Sequence, residues 1–227
     1  MIELLLPAGV ASVETRGAHD PGELLGPERE ALGRASAGRA REFAAGRACG
    51  RRALVDLGFE PAPILRGSDR EPCWPPGVVG SITHTRGYCA AAAAPIGTIA
   101  TLGIDAELHD RLTEGVRAQI ALDCEASFLA AREGDGVCWD RLLFSAKESV
   151  FKAWFPLTRR WLGFKQARID FDPPAGTFAA TLLVPGPVSG GRAITAFRGR
   201  FLVADGFVLT AIALAARAPE PLPVTPS

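Results

Sequence analysis

Two acidic residues stand two positions apart in the segment LGIDAELHD, where Asp105 and Glu107 flank a single alanine. Side chains of a β-strand alternate between its two faces, so both carboxylates should lie on the same side of an extended segment. Two like charges side by side repel each other, and a hard divalent cation between them would relieve that repulsion. The alternative interpretation is a pair of solvated acids at the end of a strand.

A second group of ionisable side chains lies in LLFSAKESVFKAWF, residues 142–155. It holds Lys147 and Lys152, two of the three lysines in a chain whose other basic residues are all arginine. Two structural interpretations compete with a catalytic one. Ser145 and Glu148 match the capping box of a helix N-terminus. Glu148 and Lys152 also match an ordinary ion pair one helical turn apart.

A histidine and two arginines are further candidates for chemistry. His84 lies in GSITHTRG, where strand alternation places it on the side of Ile82 and predicts that it is at least partly buried. Such a histidine is more often structural than catalytic. Arg39 and Arg47 fall on the inward stripe of an expected helix. A guanidinium there must either reach solvent along its own stem or meet an anion.

Helices and strands that would carry these residues are predicted in both halves of the chain. They are an N-terminal strand in 1–10, a helix over 27–58 broken near Gly33 with Ser36 as N-cap and Gly58 as its stop, an irregular segment over 60–77 with an extended piece at 64–66, strands over 78–95 and 97–108, helices over 113–133 and 138–155, and an antiparallel meander over 167–214 with a hairpin turn at 205–206. This order predicts an α+β chain of two related lobes. No internal repeat is visible, so the sequence itself does not show pseudo-symmetry.

Composition limits the function classes. The 227 residues carry a formal net charge of +0, which gives no general reason to expect nucleic acid, and no apolar run approaches the ~18 residues of a membrane span. The five scattered cysteines lack metal-ligand spacing and predict reduced thiols in a cytoplasm. The motifs of serine hydrolases, zinc proteases and P-loop proteins do not occur.

Taken together, GIDAE and FSAKESVFK, about forty residues apart, resemble the two signature motifs of the Sfp-type 4′-phosphopantetheinyl transferase superfamily. The segments REFAAGRACGRRAL, EPCWPPGVVGSITHTRGYCAA and KAWFPLTRRWLGF resemble its actinobacterial and enterobactin-synthase component D-like branch. The resemblance covers about residues 36–172. It implies two pseudo-symmetric α/β lobes in one chain, with the active site in the cleft between them. The expected division is an N-terminal lobe over 1–103, a C-terminal lobe over 104–215 and a disordered tail over 216–227.

The resemblance also implies a reaction, in which the 4′-phosphopantetheine arm of coenzyme A moves to a serine of an apo carrier protein. Carried to matching positions, the resemblance implies that Mg²⁺ (or Mn²⁺) is bound by Asp105, Glu107 and Glu148, and that the pyrophosphate is contacted by His84 and Lys152. The 3′-phosphate and nearby nucleotide groups would be contacted by Arg39, Arg47 and Arg66. The adenine and phosphates would lie along Ser81, Ile82 and Thr83. Glu148 is the expected general base, with Lys152 and His84 as further catalytic residues. Lys147 is expected at the edge of the site or in an ion pair.

The expected partners are coenzyme A and apo acyl or peptidyl carrier proteins, with no nucleic acid and no membrane, for a cytoplasmic monomer. The carrier is expected near the 113–133 helix, where Leu122 and Phe128 could meet an apolar surface. The rival hypothesis is a non-catalytic homologue that binds coenzyme A or a carrier. The small trimeric carrier-protein synthase type is disfavoured because its chain is about half as long.

Overall fold

A computed structural model describes residues 1–16, 20, 23–189 and 191–216. The predicted disordered tail therefore lies, from residue 217 onward, outside the described residues. The helices are α1 (Gly26–Leu32), α2 (Ala37–Asp56), α3 (Glu114–Ile120), α4 (Asp123–Ala131) and α5 (Trp139–Thr158). The strands are β1 (Ala11–Thr15), β2 (Leu65–Arg66), β3 (Pro72–Cys73), β4 (Val78–Thr85), β5 (Tyr88–Pro95), β6 (Ile99–Leu108), β7 (Ala167–Asp172), β8 (Thr177–Leu182), β9 (Val188–Ser189), β10 (Arg192–Ala193), β11 (Ala196–Ala204) and β12 (Phe207–Ala215).

The N-terminal lobe is an antiparallel sheet in the order β1-β5-β4, with α2 packed on it. Ser36 caps α2 as predicted, since its Oγ accepts a hydrogen bond from the backbone N–H of Arg39. Small residues let helix and sheet approach closely. A Cβ added at Gly46 would lie 2.9 Å from a methyl carbon of Ile82 on β4. The central strand β5 is a run of buried alanines for the same reason.

The C-terminal lobe is a five-stranded antiparallel sheet in the order β6-β12-β11-β8-β7, with α5 on one face. The predicted turn between β11 and β12 is present, with positive φ at both Asp205 and Gly206, as a tight two-residue hairpin requires. Gly103 brings α5 against β6, because a Cβ there would stand 2.0 Å from the carbonyl oxygen of Ser149. This close approach places the polar positions of α5 beside those of β6.

The lobes meet where β4 of the first lies beside β6 of the second. The predicted α+β class with two lobes is therefore confirmed. The proposed boundary after residue 103 falls inside β6, which pairs continuously with β12 from Ile99 to Leu108 apart from one irregularity near its start. No helix among the described residues is long and apolar enough to cross a membrane.

Two sequence predictions of local structure are wrong. The N-terminal apolar run is a 3-10 helix over Ile2–Leu5 instead of a strand, and its spacing buries Ile2 and Leu5 in one core. Residues 113–133 form two short helices instead of one. The break comes at Ala121, whose extended backbone ends α3, and the Glu125 side chain accepts the backbone N–H of Leu122 at the start of α4.

Candidate active site

A cavity of about 460 Å³ lies between the two lobes. The N-terminal lobe contributes the segment around Trp74 and the β4 residues up to Ile82, and the C-terminal lobe contributes β6 and one face of α5. Ser81, Glu148 and Lys152, all predicted from the sequence, line this cavity. The structure thus brings residues from distant parts of the chain to one cleft.

Lys152 reaches across from α5 to β6. Its Nζ donates to Oδ1 of Asp105 at 2.7 Å and to the carbonyl oxygen of Ile104 at 3.0 Å. The interpretation of Lys152 as the partner of Glu148 in a surface helix pair is therefore wrong, because the strand carboxylate is its partner. Oδ2 of Asp105 is buried and, among the described residues, has no hydrogen-bond partner. A buried carboxylate oxygen left unpaired is costly, so a cation or donor is expected there.

The three predicted metal carboxylates influence one another. Burial and the neighbouring Asp105 raise the pKa of Glu107 to about 7, although Arg141 lies 3.2 Å from its Oε2. Burial also raises the pKa of Glu148, where Lys152 opposes the shift and Asp105 adds to it. Oxygen-only donors of this kind suit Mg²⁺.

The carboxylates do not converge on one point in this structure. Within the described part of the chain, no three His, Cys, Asp or Glu side chains form a group that could hold a metal ion. Instead, Lys152 pairs with Asp105, and Nη1 of Arg141 contacts Oε2 of Glu107. The donor chemistry fits a divalent cation, and the buried free oxygen of Asp105 fits it too, but binding requires Lys152 or the carboxylates to shift.

The raised pKa of Glu107 predicts how stability depends on pH in protein freed of divalent metal. The folded state keeps this proton up to about pH 7, whereas the unfolded chain releases it near the ordinary value of 4.5. The unfolded state therefore binds fewer protons in this window, and the free energy of unfolding falls as pH rises through it, by about 1–2 kcal/mol. Urea unfolding at pH 5 and pH 7.5 should show this fall in the wild type and a smaller one in Glu107→Gln. An equal fall in both would contradict the assignment.

His84 and Arg39 lie together at the end of β4 and the start of α2. Nε2 of His84 is 2.8 Å from Nη1 of Arg39, and because a guanidinium can only donate, Nε2 must be an unprotonated acceptor. The proton is then on Nδ1, which faces Oε2 of Glu42 at 3.8 Å. Burial and Arg39 lower the pKa of His84, against Glu42. The imidazole is thus neutral, with a defined tautomer.

Arg47 is enclosed instead of reaching solvent. Its Nε donates to the carbonyl oxygen of Ile64 at 2.8 Å, its Nη2 to that of Leu65 at 3.3 Å, and its guanidinium lies 4.0 Å from the Phe43 ring centroid. Burial lowers its pKa to about 10. The alternative of a solvent-reaching arginine is wrong here, and Arg47 holds the strand that carries the half-buried Arg66.

Ser145 is not a helix cap. The helix α5 begins six residues earlier, at Trp139, and Ser145 is fully buried inside it, with its Oγ 3.0 Å from Oγ1 of Thr210. The capping-box interpretation is therefore wrong. The helix extends further because Trp139, Leu142 and Leu143 pack in the core of the C-terminal lobe.

Lys147 lies on a different side of α5 and forms a buried ion pair, which is the second of the two predicted alternatives, an edge of the site or an ion pair. Its Nζ donates to Oε2 of Glu125 at 2.7 Å and to three backbone carbonyl oxygens, those of Ile120, Phe164 and Ala167, at 2.8–3.0 Å. Its side chain is 1% exposed. This lysine ties α5 to the segments on either side of it and stands apart from the cleft chemistry.

Replacing Lys147 should therefore lower the free energy of unfolding of the protein. Lys147→Met leaves the buried Glu125 carboxylate without its cation, and we expect a loss of about 3–5 kcal/mol in the free energy of unfolding. Lys165→Met is the matched control, because Lys165 is exposed and should change stability by less than about 0.5 kcal/mol. Urea unfolding measures both. Equal losses in the two variants would rule out a structural role for the buried pair.

Sequence reasoning missed Glu42 and Arg141, which contact residues of the site, and Glu125, which pairs with Lys147 outside the cleft. Glu42 lies three residues after Arg39, and Arg141 lies seven before Glu148, spacings that place each pair on one helix face. These periodicities could have identified Glu42 and Arg141. Glu125 lies 22 residues from Lys147, and no local spacing indicates that contact.

Comparisons with known proteins agree with the motifs. The family described as "4′-phosphopantetheinyl transferase N-terminal domain" matches residues 27–94, and that described as "4′-phosphopantetheinyl transferase superfamily" matches residues 101–192. The chain is 51% identical to 4′-phosphopantetheinyl transferase Svp of Streptomyces mobaraensis over 96% of this chain and 91% of the relative. It is 45% identical to 4′-phosphopantetheinyl transferase PptT of Mycobacterium tuberculosis over 84% of this chain and 86% of that one. Enterobactin synthase component D of Escherichia coli (strain K12) is 34% identical, over 52% of this chain and 56% of the relative.

Proposed function

The chain belongs to the 4′-phosphopantetheinyl transferase superfamily, and we propose that it moves the 4′-phosphopantetheine arm of coenzyme A onto a serine of an apo acyl or peptidyl carrier protein. The by-product is adenosine 3′,5′-bisphosphate. The observation that carries this proposal is the cleft between the lobes, where Glu148 and Lys152 line the cavity. Lys152 there hydrogen-bonds to Asp105, whose buried Oδ2 has no partner among the described residues. A site of this kind suits a diphosphate substrate accompanied by a cation.

We propose that Asp105, Glu107 and Glu148 bind Mg²⁺, with Mn²⁺ as a possible substitute. The raised pKa values of Glu107 and Glu148 support this, because a bound cation would relieve the repulsion that contributes to both shifts. When bound, the ion supplies positive charge for the coenzyme A diphosphate. Lys152 then becomes available to a phosphate oxygen as a compact cation.

Glu148 is the proposed general base. It is the proposed base because it lines the cavity where the arm must lie, and a carboxylate placed there can take a hydroxyl proton. The carrier serine oxygen attacks the β-phosphorus while Glu148, directly or through a water molecule, takes the hydroxyl proton. The bond from that phosphorus to the bridging oxygen breaks, and its electron pair leaves with the nucleotide. Lys152 offsets the charge that develops on the phosphoryl oxygens, and the neutral His84 stabilises them as a hydrogen-bond donor.

The nucleotide end of coenzyme A is proposed to lie toward the N-terminal lobe. Arg39 is partly exposed and offers positive charge, and the neutral His84 beside it offers an Nδ1–H donor. Arg47 contributes by holding the Ile64 and Leu65 carbonyls, which positions Arg66. Ser81, Ile82 and Thr83 are the proposed path along β4. For Ser81 and Ile82, lining of the cavity supports this.

The structure reduces the candidate residues for carrier binding near the 113–133 region. The Phe128 ring packs against Trp139 and Phe171, at centroid distances of 5.5 and 5.8 Å, so it belongs to the lobe core more than to a free surface. Leu122, half-buried at the start of α4, stays the better candidate.

We propose that the protein acts as a cytoplasmic monomer without nucleic acid or membrane, since one chain supplies both lobes and carries no net charge.

The test combines purified protein, Mg²⁺, coenzyme A and a panel of apo carriers from fatty acid, polyketide and nonribosomal peptide synthesis. Mass spectrometry should detect one added phosphopantetheine on at least one carrier, and chelation should abolish the addition. If no carrier gains mass, the proposed activity fails. Thermal stabilisation by coenzyme A without a carrier adduct would instead identify a binding protein that transfers nothing.

A further inference from the structure

The two lobes are joined by hydroxyl groups. The strands β4 and β6 run parallel, and the backbone N–H groups of Ile104 and Ala106 donate to side-chain oxygens of Ser81 and Thr83, at 3.1 and 3.0 Å. Both hydroxyl residues are almost completely buried, at 3% and 2% exposure. The strand β12 pairs with the opposite edge of β6 and does not reach these two N–H groups. The hydroxyl oxygens of β4 therefore give two buried backbone donors their acceptors.

Thr83 differs from Ser81 in one contact. Its Oγ1 is 3.3 Å from Oδ1 of Asp105 as well as accepting from Ala106. Since an amide can only donate and an ionised carboxylate can only accept, the Thr83 proton must point to Asp105. Oδ1 therefore receives two donors, Thr83 and Lys152, while Oδ2 has no partner among the described residues. The Thr83 hydroxyl, together with Lys152, thereby fixes which oxygen of Asp105 is left without a donor.

We infer that Thr83 is a positioning residue for the metal site: from the N-terminal lobe, its hydroxyl orients Asp105 of the C-terminal lobe so that Oδ2 is available to a divalent cation. This inference rests on the proposed function, because that function supplies the cation. Hydrogen bonds to a metal-binding carboxylate typically affect metal affinity 10–100-fold. The affinity for the cation then depends on how the lobes are joined, although Thr83 need not touch the ion.

Ser81 provides the matched control. It makes the same kind of backbone hydrogen bond across the lobe joint, and among the described residues its hydroxyl makes no hydrogen bond to Asp105. Thr83→Val replaces the hydroxyl by a methyl group of similar size, and Thr83→Ser keeps the hydroxyl. Ser81→Ala removes only the hydrogen bond from the Ile104 N–H across the lobe joint. Mn²⁺ alone is titrated into each full-length variant, and free Mn²⁺ is counted by electron paramagnetic resonance. Thermal unfolding is measured in parallel without metal.

Both Thr83→Val and Ser81→Ala should lower the midpoint of thermal unfolding, by roughly 2–10 °C, because each leaves a buried N–H group without an acceptor. Only Thr83→Val should weaken Mn²⁺ binding, by about 10-fold or more, whereas Thr83→Ser should stay within about 3-fold of the wild type. If Thr83→Val does not fold, Thr83→Cys takes its place, and its weak thiol donor should still reduce the affinity.

Equal Mn²⁺ affinity in Thr83→Val and the wild type, or an equal loss in Ser81→Ala, would overturn the inference and leave the proposed activity intact. A wild-type protein that binds no Mn²⁺ would remove the proposed metal site and this inference together. Mass gain on a carrier, measured separately, tells whether the transferase activity fails as well.

Discussion

Glu148→Gln is expected to lower the rate of phosphopantetheine transfer by about 10³-fold, within the range that general-base catalysis contributes. Glutamine keeps the size of the side chain but cannot take the serine proton, and its amide is a poorer ligand for a hard cation. Because burial already disfavours the ionised form of Glu148, the neutral variant should be at least as stable as the wild type. Loss of activity should therefore occur without loss of fold.

Single-turnover transfer to an apo carrier, followed by mass spectrometry, measures this effect, and a thermal scan checks the fold. Glu133→Gln is a suitable control, because Glu133 is an exposed residue paired with Arg111 and should leave the rate unchanged. Transfer by Glu148→Gln at the wild-type rate would remove the residue from the mechanism. A matching loss in the control would point to a nonspecific effect of charge.

Lys152→Met is expected to lower kcat/KM for coenzyme A by about 10²–10³-fold, as removal of a group that stabilises transition-state charge typically does. Lys152 is partly exposed to the cleft, with 25% of its side chain accessible, so a phosphate can reach it. Its removal also takes the cation away from Oδ1 of Asp105, which keeps the Thr83 hydroxyl as a donor. Mn²⁺ binding should therefore be unchanged or tighter in this variant, which separates a phosphate contact from a metal ligand.

The two lysines of α5 should affect different properties, Lys147 the stability of the fold and Lys152 the transfer activity. Lys147→Met should lose stability because its acceptors are enclosed protein atoms that water cannot reach. Lys152→Met should lose activity at a smaller cost in stability, because Lys152 is 25% exposed to the cleft and water there can replace it beside Asp105. Urea unfolding and carrier transfer measured on both variants test this division. Wild-type kinetics in Lys152→Met would contradict the phosphate role, and severe unfolding would show that its bond to Asp105 is chiefly structural.

Local features of the fold could be predicted because neighbouring residues encode them. The cap at Ser36 and the turn at Asp205 depend on contacts within a few residues, and both are present as predicted. The shared side of Asp105 and Glu107 follows from strand periodicity alone. The two motifs also predicted the family, which depends on residue types and separation instead of coordinates.

Predictions failed where a local pattern had two physical explanations. Ser145 and Glu148 satisfy the capping-box pattern, yet the apolar residues before them bury more area by extending the helix to Trp139. Glu148 and Lys152 satisfy the ion-pair pattern, yet a buried carboxylate on β6 attracts the lysine more strongly than a helix neighbour does. Burial decides each competition, and burial is a property of the assembled lobes.

The amino-acid sequence was enough to predict the family, most of the helices and strands in their order, and the residue types suited to a diphosphate and a cation. The partners of the long charged side chains depend on the assembled lobes: Lys147 with Glu125, Lys152 with Asp105 and Arg141 with Glu107. The assembled lobes also give Thr83 its contact with Asp105 across the lobe joint. The physical reason is that periodicity and capping act over a few residues, whereas desolvation selects partners among all groups that the fold encloses.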